Sequence, residues 1–386
     1  MARTVLLTIG RLPKALELAR AFKNYGYRVI IADPFRWHLT GVSRDVARSF
    51  QVAAPADDSE AYLDDIISIV ERESVELIVP VSEETMYVTA LKPRLDPGVT
   101  LFSMPQNLIL TLHHKKRFID FASALGLQVP ETYDILDHRA VTLAETTDTV
   151  IKPIYSCSGR GVRYLKRGES IAQPPHSEHL IVQRRIEGDL YSTFSIAQNG
   201  CVCTTIIYRA AVMSGTVAVC FERIPKQQVI LDWIDHFIRK TSYTGFVSFD
   251  MILRPDGQAF AIECNPRATS GIHFLKNEDL CTAILHVTGD ARPRLRTALF
   301  MQQLFPCLTE TQKSFFNRKN FRSNLHHLMT ARDVTWQWRD PLPLLLMPIM
   351  ASQIIARSIC KGETFGEAST FDISWRERDT QNHINA

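Results

Sequence analysis

Net charge is close to absent from this chain of 386 residues. Lys and Arg number 44 against 41 Asp and Glu, which leaves +3, and no run of Lys or Arg forms a basic arm. That balance argues against a nucleic-acid partner, whose affinity comes from neutralised phosphates. Paired cysteine spacing is missing as well. Of 8 cysteines only Cys201 and Cys203 stand close together. Two thiols on one strand face, with no second pair nearby, make a poor zinc site. The cysteines read as reduced and mostly buried, which suits a cytoplasmic setting. Thr4–Ile9 is too short for the apolar core of a secretory signal. No stretch is expected to reach the ~18 apolar residues of a membrane span. The nearest is Leu342 to Ala356, cut by Pro343 and Pro348. A buried C-terminal helix is the expectation there, with membrane-surface contact as the alternative. The turn after the first strand holds Gly10 alone, so the G-x-G-x-x-G of NAD or FAD binding is missing. No GxxxxGK[ST] phosphate loop occurs either.

What is present is ordinary globular composition, 45% hydrophobic and 22% charged, over a length that predicts two or three domains. The N-terminal third alternates strand and helix. Val5–Ile9, Arg28–Ala32 and Leu77–Pro80 read as strands. Pro13–Tyr25, Asp58–Glu73 and Glu83–Leu91 read as helices. Strands separated by helices predict βαβ units and a parallel sheet. Leu108–Leu125 then reads as one long helix carrying His113-His114-Lys115-Lys116-Arg117. A strand over Thr149–Pro153 ends in Lys152 and is followed by the glycine-containing loop Ser156–Val162. Backbone N–H groups of such a loop can hold phosphate oxygens, and a hairpin turn would use the same glycines. His179–Ile186 is a strand, Leu190–Tyr208 a hairpin about Asn199-Gly200, and Leu231–Lys240 a helix.

The most informative stretch is Phe249–Gly271. Gly245–Leu253 and Ala259–Cys264 read as two antiparallel strands joined at Arg254-Pro255-Asp256-Gly257. Residues opposite one another on such arms have Cβ atoms about 5 Å apart. Asp250, Glu263 and Asn265 can then converge as a hard oxygen site suited to Mg²⁺ with a nucleotide's phosphates; a solvated acidic face is the bland reading. Arg267 follows as a fixed cation.

This order of parts resembles the ATP-grasp enzymes, the superfamily of D-alanine–D-alanine ligase, biotin carboxylase and the carbamoyl phosphate synthetase large subunit. The resemblance covers roughly residues 1 to 290. Its most specific element is the separation of Asp250, Glu263 and Asn265, which matches the Mg²⁺ ligands of the D-alanine ligase branch. The resemblance implies a parallel-sheet pre-ATP-grasp domain (1–107), a two-lobed ATP-grasp domain (108–296, lobes meeting near 183) and a mainly helical C-terminal appendage (297–386). It implies that Lys115 and Lys152 bind phosphate, and that Ser158, Gly159 and Gly161 belong to a loop folding over ATP. Gln183, Arg184 and Ile186 would form the adenine hinge. Arg267 would act, with Lys152, on the γ-phosphate or on an acyl phosphate. Two departures stand out. The hinge reads Gln183-Arg184-Arg185-Ile186 where the family prefers Glu and an apolar residue, and the ribose carboxylate falls at Leu190, with Asp189 one residue early.

The implied cofactors are ATP and Mg²⁺, with Mn²⁺ admitted by the same ligands. The implied reaction joins a small carboxylic acid to an amine through an acyl phosphate, releasing ADP and phosphate. A kinase, a carboxylase acting through carboxyphosphate and a non-catalytic nucleotide-binding protein are the alternatives. Candidates for the substrate pocket are Glu83, Glu84, Arg209, Arg223, Ser270, Gly271 and His273. Glu83 and Glu84 serve equally well as caps of the helix that follows them. The segment after Thr297 lies outside the resemblance. It is basic and aromatic at Lys313–Arg322 and would close the site, mediate a homodimer or recruit a carrier-bound or lipid-like substrate. A short strand is expected at Phe371–Trp375, before a polar tail.

Overall fold

The computed structural model describes residues 2–155, 161–171, 179–285, 293–361 and 368–376. Five parallel strands make the first sheet: β1 (Thr4–Leu7), β2 (Arg28–Asp33), β3 (Arg48–Gln51), β4 (Leu77–Val79) and β5 (Thr100–Leu101), in the order β3-β2-β1-β4-β5. Helices α1 (Pro13–Asn24) and α2 (Ser59–Glu73) connect them. The starts are legible in the sequence. Pro13 fits a first helical turn, where its missing N–H is not needed, and the Asp58 carboxylate caps α2 by accepting from the Ala61 N–H at 3.0 Å. The run expected as one helix over Glu83–Leu91 is a short α3 (Thr85–Val88) continued by a 3₁₀ turn.

The long helix expected over Leu108–Leu125 is broken. The chain forms α4 (Gln106–His113) and α5 (Lys115–Ala124), and His114 between them takes an extended conformation. Its ring accepts from the Arg117 N–H at 3.2 Å, so a histidine caps the second helix. The break sets Lys115 in the first turn of α5, where the helix dipole opposes its charge.

A four-stranded sheet follows, of order β6-β9-β7-β8, from β6 (Thr132–Asp134), β7 (Thr149–Pro153), β8 (Arg163–Leu165) and β9 (Leu180–Arg184). Helix α6 (His138–Thr146) covers it. The larger sheet contains β10 (Asp189–Gln198), β11 (Cys201–Ser214), β12 (Val217–Arg223), β13 (Gly245–Leu253) and β14 (Ala259–Asn265), with α7 (Gln228–Thr241) on one face. A 3₁₀ turn over Ser270–Phe274 and α8 (Asn277–Leu285) lie on the other. Gly188 opens β10 at φ +155°, where a Cβ would stand 2.3 Å from the Leu253 carbonyl oxygen.

The larger sheet continues past residue 296. β15 (Phe300–Gln302) pairs with β12, and after α9 (Leu304–Lys313) and α10 (Arg318–Thr330), β16 (Arg332–Asp333) adds to β15. The C-terminal part is therefore mainly helical but shares its sheet with the preceding domain. It is also clasped to the N-terminal domain by buried charge. The Arg20 guanidinium pairs with Asp340 at 2.9 Å, and Arg11 pairs with Asp33 at 2.8 Å and Asp372 at 2.7 Å. Phe371–Trp375 is a turn and not the expected strand, held by the Tyr87 hydroxyl donating to the Ser374 carbonyl and by Tyr87 packing on Trp375.

The last helix, α11 (Leu342–Lys361), differs from the expectation in two ways. Pro343 falls in its first turn and Pro348 is accommodated inside, so the apolar run is not cut and is long and apolar enough to cross a membrane by length and composition. Nor is it buried: Leu342, Leu345, Ile349, Ile355 and Ile359 are exposed.

Candidate functional site

The centre of the site is a β-bulge. Asp250 pairs with Glu263 and Phe249 with Cys264, yet Met251 pairs with Ala261, so Ile262 is the extra residue. Buried positions in β14 accordingly change parity: Ala259 and Ala261 face the core, then Cys264 does. The bulge is what turns Glu263 to the side of Asp250 and off the core. It also frees the Ile262 carbonyl, which accepts from Lys152 Nζ at 3.0 Å. Strand β7 thus reaches across from the smaller sheet to the larger one.

Lys115 Nζ stands 3.6 Å from Glu263 Oε2 and 3.4 Å from the Ile154 carbonyl oxygen. Both lysines are buried. Burial, then the neighbouring Lys115, lower the Lys152 ammonium to about 8, against the opposing pull of Glu263. Burial and the like charge of Glu263 raise Asp250 to about 6, although Ser192 Oγ donates to it at 2.6 Å. Ser192 was not foreseen, and a lone serine in an alternating strand gives no signal of it. Asn265 Nδ2 lies 3.4 Å from Glu263 Oε1. Asp250 and Glu263 side by side, each already half-buried, form a donor set that a divalent cation fits. The third oxygen, Asn265 Oδ1, accepts from Arg267 at 3.1 Å.

Arg267 links the end of the larger sheet to the loop that follows β4. Its Nε lies 2.5 Å from Glu83 Oε1, and Glu83 Oε2 is 3.6 Å from His113 Nε2. Burial pushes the His113 imidazole down to about 4, so it is neutral near pH 7. Lys14 is a further neighbour that the sequence did not single out. Its ammonium donates to the Ala268 carbonyl at 2.7 Å and to Ser82 Oγ at 3.1 Å.

The remaining predicted residues divide. Glu83 joins the site, whereas Glu84 turns back into its own loop, accepting from the Val81 and Ser82 N–H groups and the Thr8 hydroxyl. Arg223 lies in one cross-strand row with Tyr208, Ser192, Asp250 and Glu263, and therefore on the site's face of the sheet. Arg209, one residue from Tyr208, is on the opposite face in an exposed pair with Glu222 at 2.7 Å. It does not reach the site. Ser270 and Gly271 begin the 3₁₀ turn over that same sheet, and Gly271 is packed so tightly that a Cβ would lie 2.5 Å from Phe194 Cβ. His273 is buried 3.6 Å from Glu17, which also pairs with Arg296, so it belongs to a charge cluster on α1 and not beside Arg267. Gln183 is buried and donates its side-chain amide to Thr132 Oγ1 at 2.9 Å, and the Arg184 N–H donates to the Glu131 carbonyl at 2.8 Å. Asp189 is exposed at the first position of β10. Gly161 sits at φ +70° against Pro153, and Ser158 and Gly159 fall outside the described residues.

Residues 113–271 match the family model of the ATP-grasp domain. The chain carries an ATP-grasp domain. Among solved structures it is similar to Staphylococcus aureus N5-carboxyaminoimidazole synthetase complexed with ADP, at TM-score 0.61 and 12% identity over 82% of this chain and 87% of that one. It is similar to an L-amino acid ligase from Bacillus licheniformis, at TM-score 0.56 and 13% identity over 76% and 75%. A third is Rhizobium etli pyruvate carboxylase, at TM-score 0.54 and 15% identity over 70% of this chain, which spans only 27% of that longer one. At such identities the likeness shows the fold alone.

Proposed function

We propose that this ATP-grasp protein is a carboxylate–amine ligase that activates a small acid as its acyl phosphate and releases ADP and phosphate. The observation that carries the reading is the convergence of Asp250 and Glu263, across the Ile262 bulge, with Lys115, Lys152 and Arg267. Phosphoryl transfer needs cations on developing charge and an in-line arrangement more than covalent help from the protein. Asp250, Glu263 and Asn265 are the ligands we assign to Mg²⁺, which when bound supplies charge to the β- and γ-phosphate oxygens. Mn²⁺ would satisfy the same donors. Lys115 and Lys152 are assigned to phosphate. The loop containing Ser158, Gly159 and Gly161 is assigned to closing over ATP, and the backbone at Gln183–Ile186 to adenine, with Asp189 near the ribose. The carboxylate oxygen of the acid attacks the γ-phosphorus, ADP leaves, and the amine then displaces phosphate from the acyl carbon. Arg267 is assigned to the charge on the acyl phosphate and on the tetrahedral oxyanion.

Glu83 pairs with Arg267, and we assign the cationic amine to this carboxylate, at the carboxyl end of β4. Arg223, Ser270 and Gly271 line the face that would receive the acid. A cytoplasmic setting suits the use of ATP.

The test is phosphate release from Mg²⁺ and ATP, screened against pools of carboxylic acids with and without amines, and repeated with Glu263→Gln and Lys152→Ala. Release requiring both an acid and an amine, and lost in both variants, is expected. Turnover with an acid or bicarbonate alone would make the protein a kinase or carboxylase, and AMP as product would overturn the assignment.

A further inference from the structure

Helix α11 is apolar on both sides. Leu344, Met350 and Ile354 face the body of the protein and are buried. Its outward stripe is Leu345, Ile349 and Ile359, exposed at 62%, 67% and 77%. A surface helix normally turns polar residues outward, and one that is apolar all round is made for an apolar environment. The helix nevertheless lies along the protein: Gln353 donates to the Trp37 carbonyl at 3.4 Å, and its inner face is packed. It is therefore held parallel to the surface.

What borders this face identifies what covers it. No acidic residue occurs from Pro341 to Lys361. Trp338, just before the helix, is 85% exposed and meets Trp336 edge to face, and Trp37 beside Gln353 is exposed too. Arg36, Arg44 and Arg339 are exposed cations along this edge, with a half-buried acid, Asp45, next to Arg44. Arg36 lies over the Trp37 ring, and Arg44 donates to the Arg339 carbonyl at 3.1 Å. Asp340, the acid just before the helix, is turned inward against Arg20. Tryptophan and arginine around an apolar helix are the composition of a membrane-interface segment. A second copy fits less well, because a two-fold interface would set this arginine edge against itself or its own apolar stripe.

We propose that the α11 face, with Trp37, Trp338, Arg36, Arg44 and Arg339, docks the protein on an anionic lipid surface without spanning it. The inference is independent of the ligase assignment. The full chain should sediment with vesicles of phosphatidylcholine and phosphatidylserine, less with phosphatidylcholine alone, and less as salt is raised. A Leu345→Glu/Ile349→Glu double variant should bind such vesicles at least about tenfold more weakly. Its thermal unfolding should be unchanged, because both side chains point outward. An Arg36→Glu/Arg339→Glu variant should lose the phosphatidylserine dependence with the apolar stripe intact. Quenching of tryptophan fluorescence by brominated lipid should vanish with Trp338→Phe/Trp37→Phe. Failure of the unmodified chain to bind anionic vesicles would overturn the proposal. So would binding indifferent to both charge variants, or a dimer in light scattering that Leu345→Glu/Ile349→Glu dissolves without vesicle binding.

Discussion

Lys152→Met is the substitution that best separates a residue kept for stability from one kept for chemistry. Lys152 is buried, and its one hydrogen bond among the described contacts goes to the Ile262 carbonyl. Burial, then Lys115, bring its ammonium from 10.5 to about 8. Such a depression corresponds to ~3 kcal/mol against the folded state at pH 7. The sign follows from proton counts. Between about pH 8 and 10.5 the unfolded chain holds a proton on this lysine that the folded chain has released, so stability rises with pH across that window. Below the window the cost is fully present, and above it the cost is gone. Methionine keeps most of the volume and removes the charge. It also leaves Glu263 with Lys115 as its nearer cation and orphans the Ile262 carbonyl, which returns ~1–2 kcal/mol. The net expectation is a protein more stable by ~1–2 kcal/mol at pH 7. That advantage should shrink at about pH 9.5. Urea unfolding of both proteins at both pH values measures it, and comparing variant with parent cancels every other titrating group. ATP with Mg²⁺ should raise the parent's unfolding midpoint and not the variant's, and turnover should be lost. A variant less stable than its parent at pH 7, or a difference insensitive to pH, would refute the reasoning and make Lys152 a structural residue.

Three other substitutions test the frame around the site. Arg11→Met strands the buried carboxylates of Asp33 and Asp372. It should cost ~3–5 kcal/mol in a denaturant titration at neutral pH, less once acid protonates the pair. Gly271→Ala forces a methyl group to within 2.5 Å of Phe194 Cβ. It should lower stability by ~1–3 kcal/mol, read as a shifted melting temperature. Glu83→Gln keeps an acceptor for Arg267 but loses the charge that orients it, so turnover should fall about 10²-fold while calorimetry shows ATP binding within a few-fold. An equal loss of ATP affinity would place Glu83 with the nucleotide.

Regular elements were legible because their signals are local. Pro13, Asp58 and Gly26 bound helices by backbone chemistry that involves no distant partner, and Asn199-Gly200 supplies the left-handed turn of the β10–β11 hairpin. The His114 break was not legible, since the apolar period runs straight through it and histidine is not among the usual capping residues, while Lys115 just past it meets the distant Glu263 and Ile154. The short strands β3, β5 and β8 were missed for a similar reason: mostly exposed or only a few residues long, they are strands because a neighbour offers an edge. Helix α11 was misjudged because two prolines in an apolar run read as interruptions, whereas one of them lies in the first turn.

The site shows the same division between local and distant causes. Asp250, Glu263 and Asn265 were found from an alternating pattern, yet strict alternation along β14 from Ala259 would have sent Glu263 to the core side. The extra residue at Ile262 corrects the parity and, by the same distortion, presents the carbonyl that Lys152 grips. One irregularity therefore serves both the proposed metal ligands and the proposed phosphate lysine, a coupling that no spacing in the sequence displays. Glu83 and Glu84 make the converse point. They are identical neighbours at the end of one strand, and only the fold decides that Glu84 satisfies its own loop while Glu83 crosses to Arg267. Arg267 takes contacts from the sheet through Asn265 and from the N-terminal domain through Glu83. In the proposed reaction an amine entering beside Glu83 would compete for the carboxylate that Arg267 holds, and so would release that cation toward the acid.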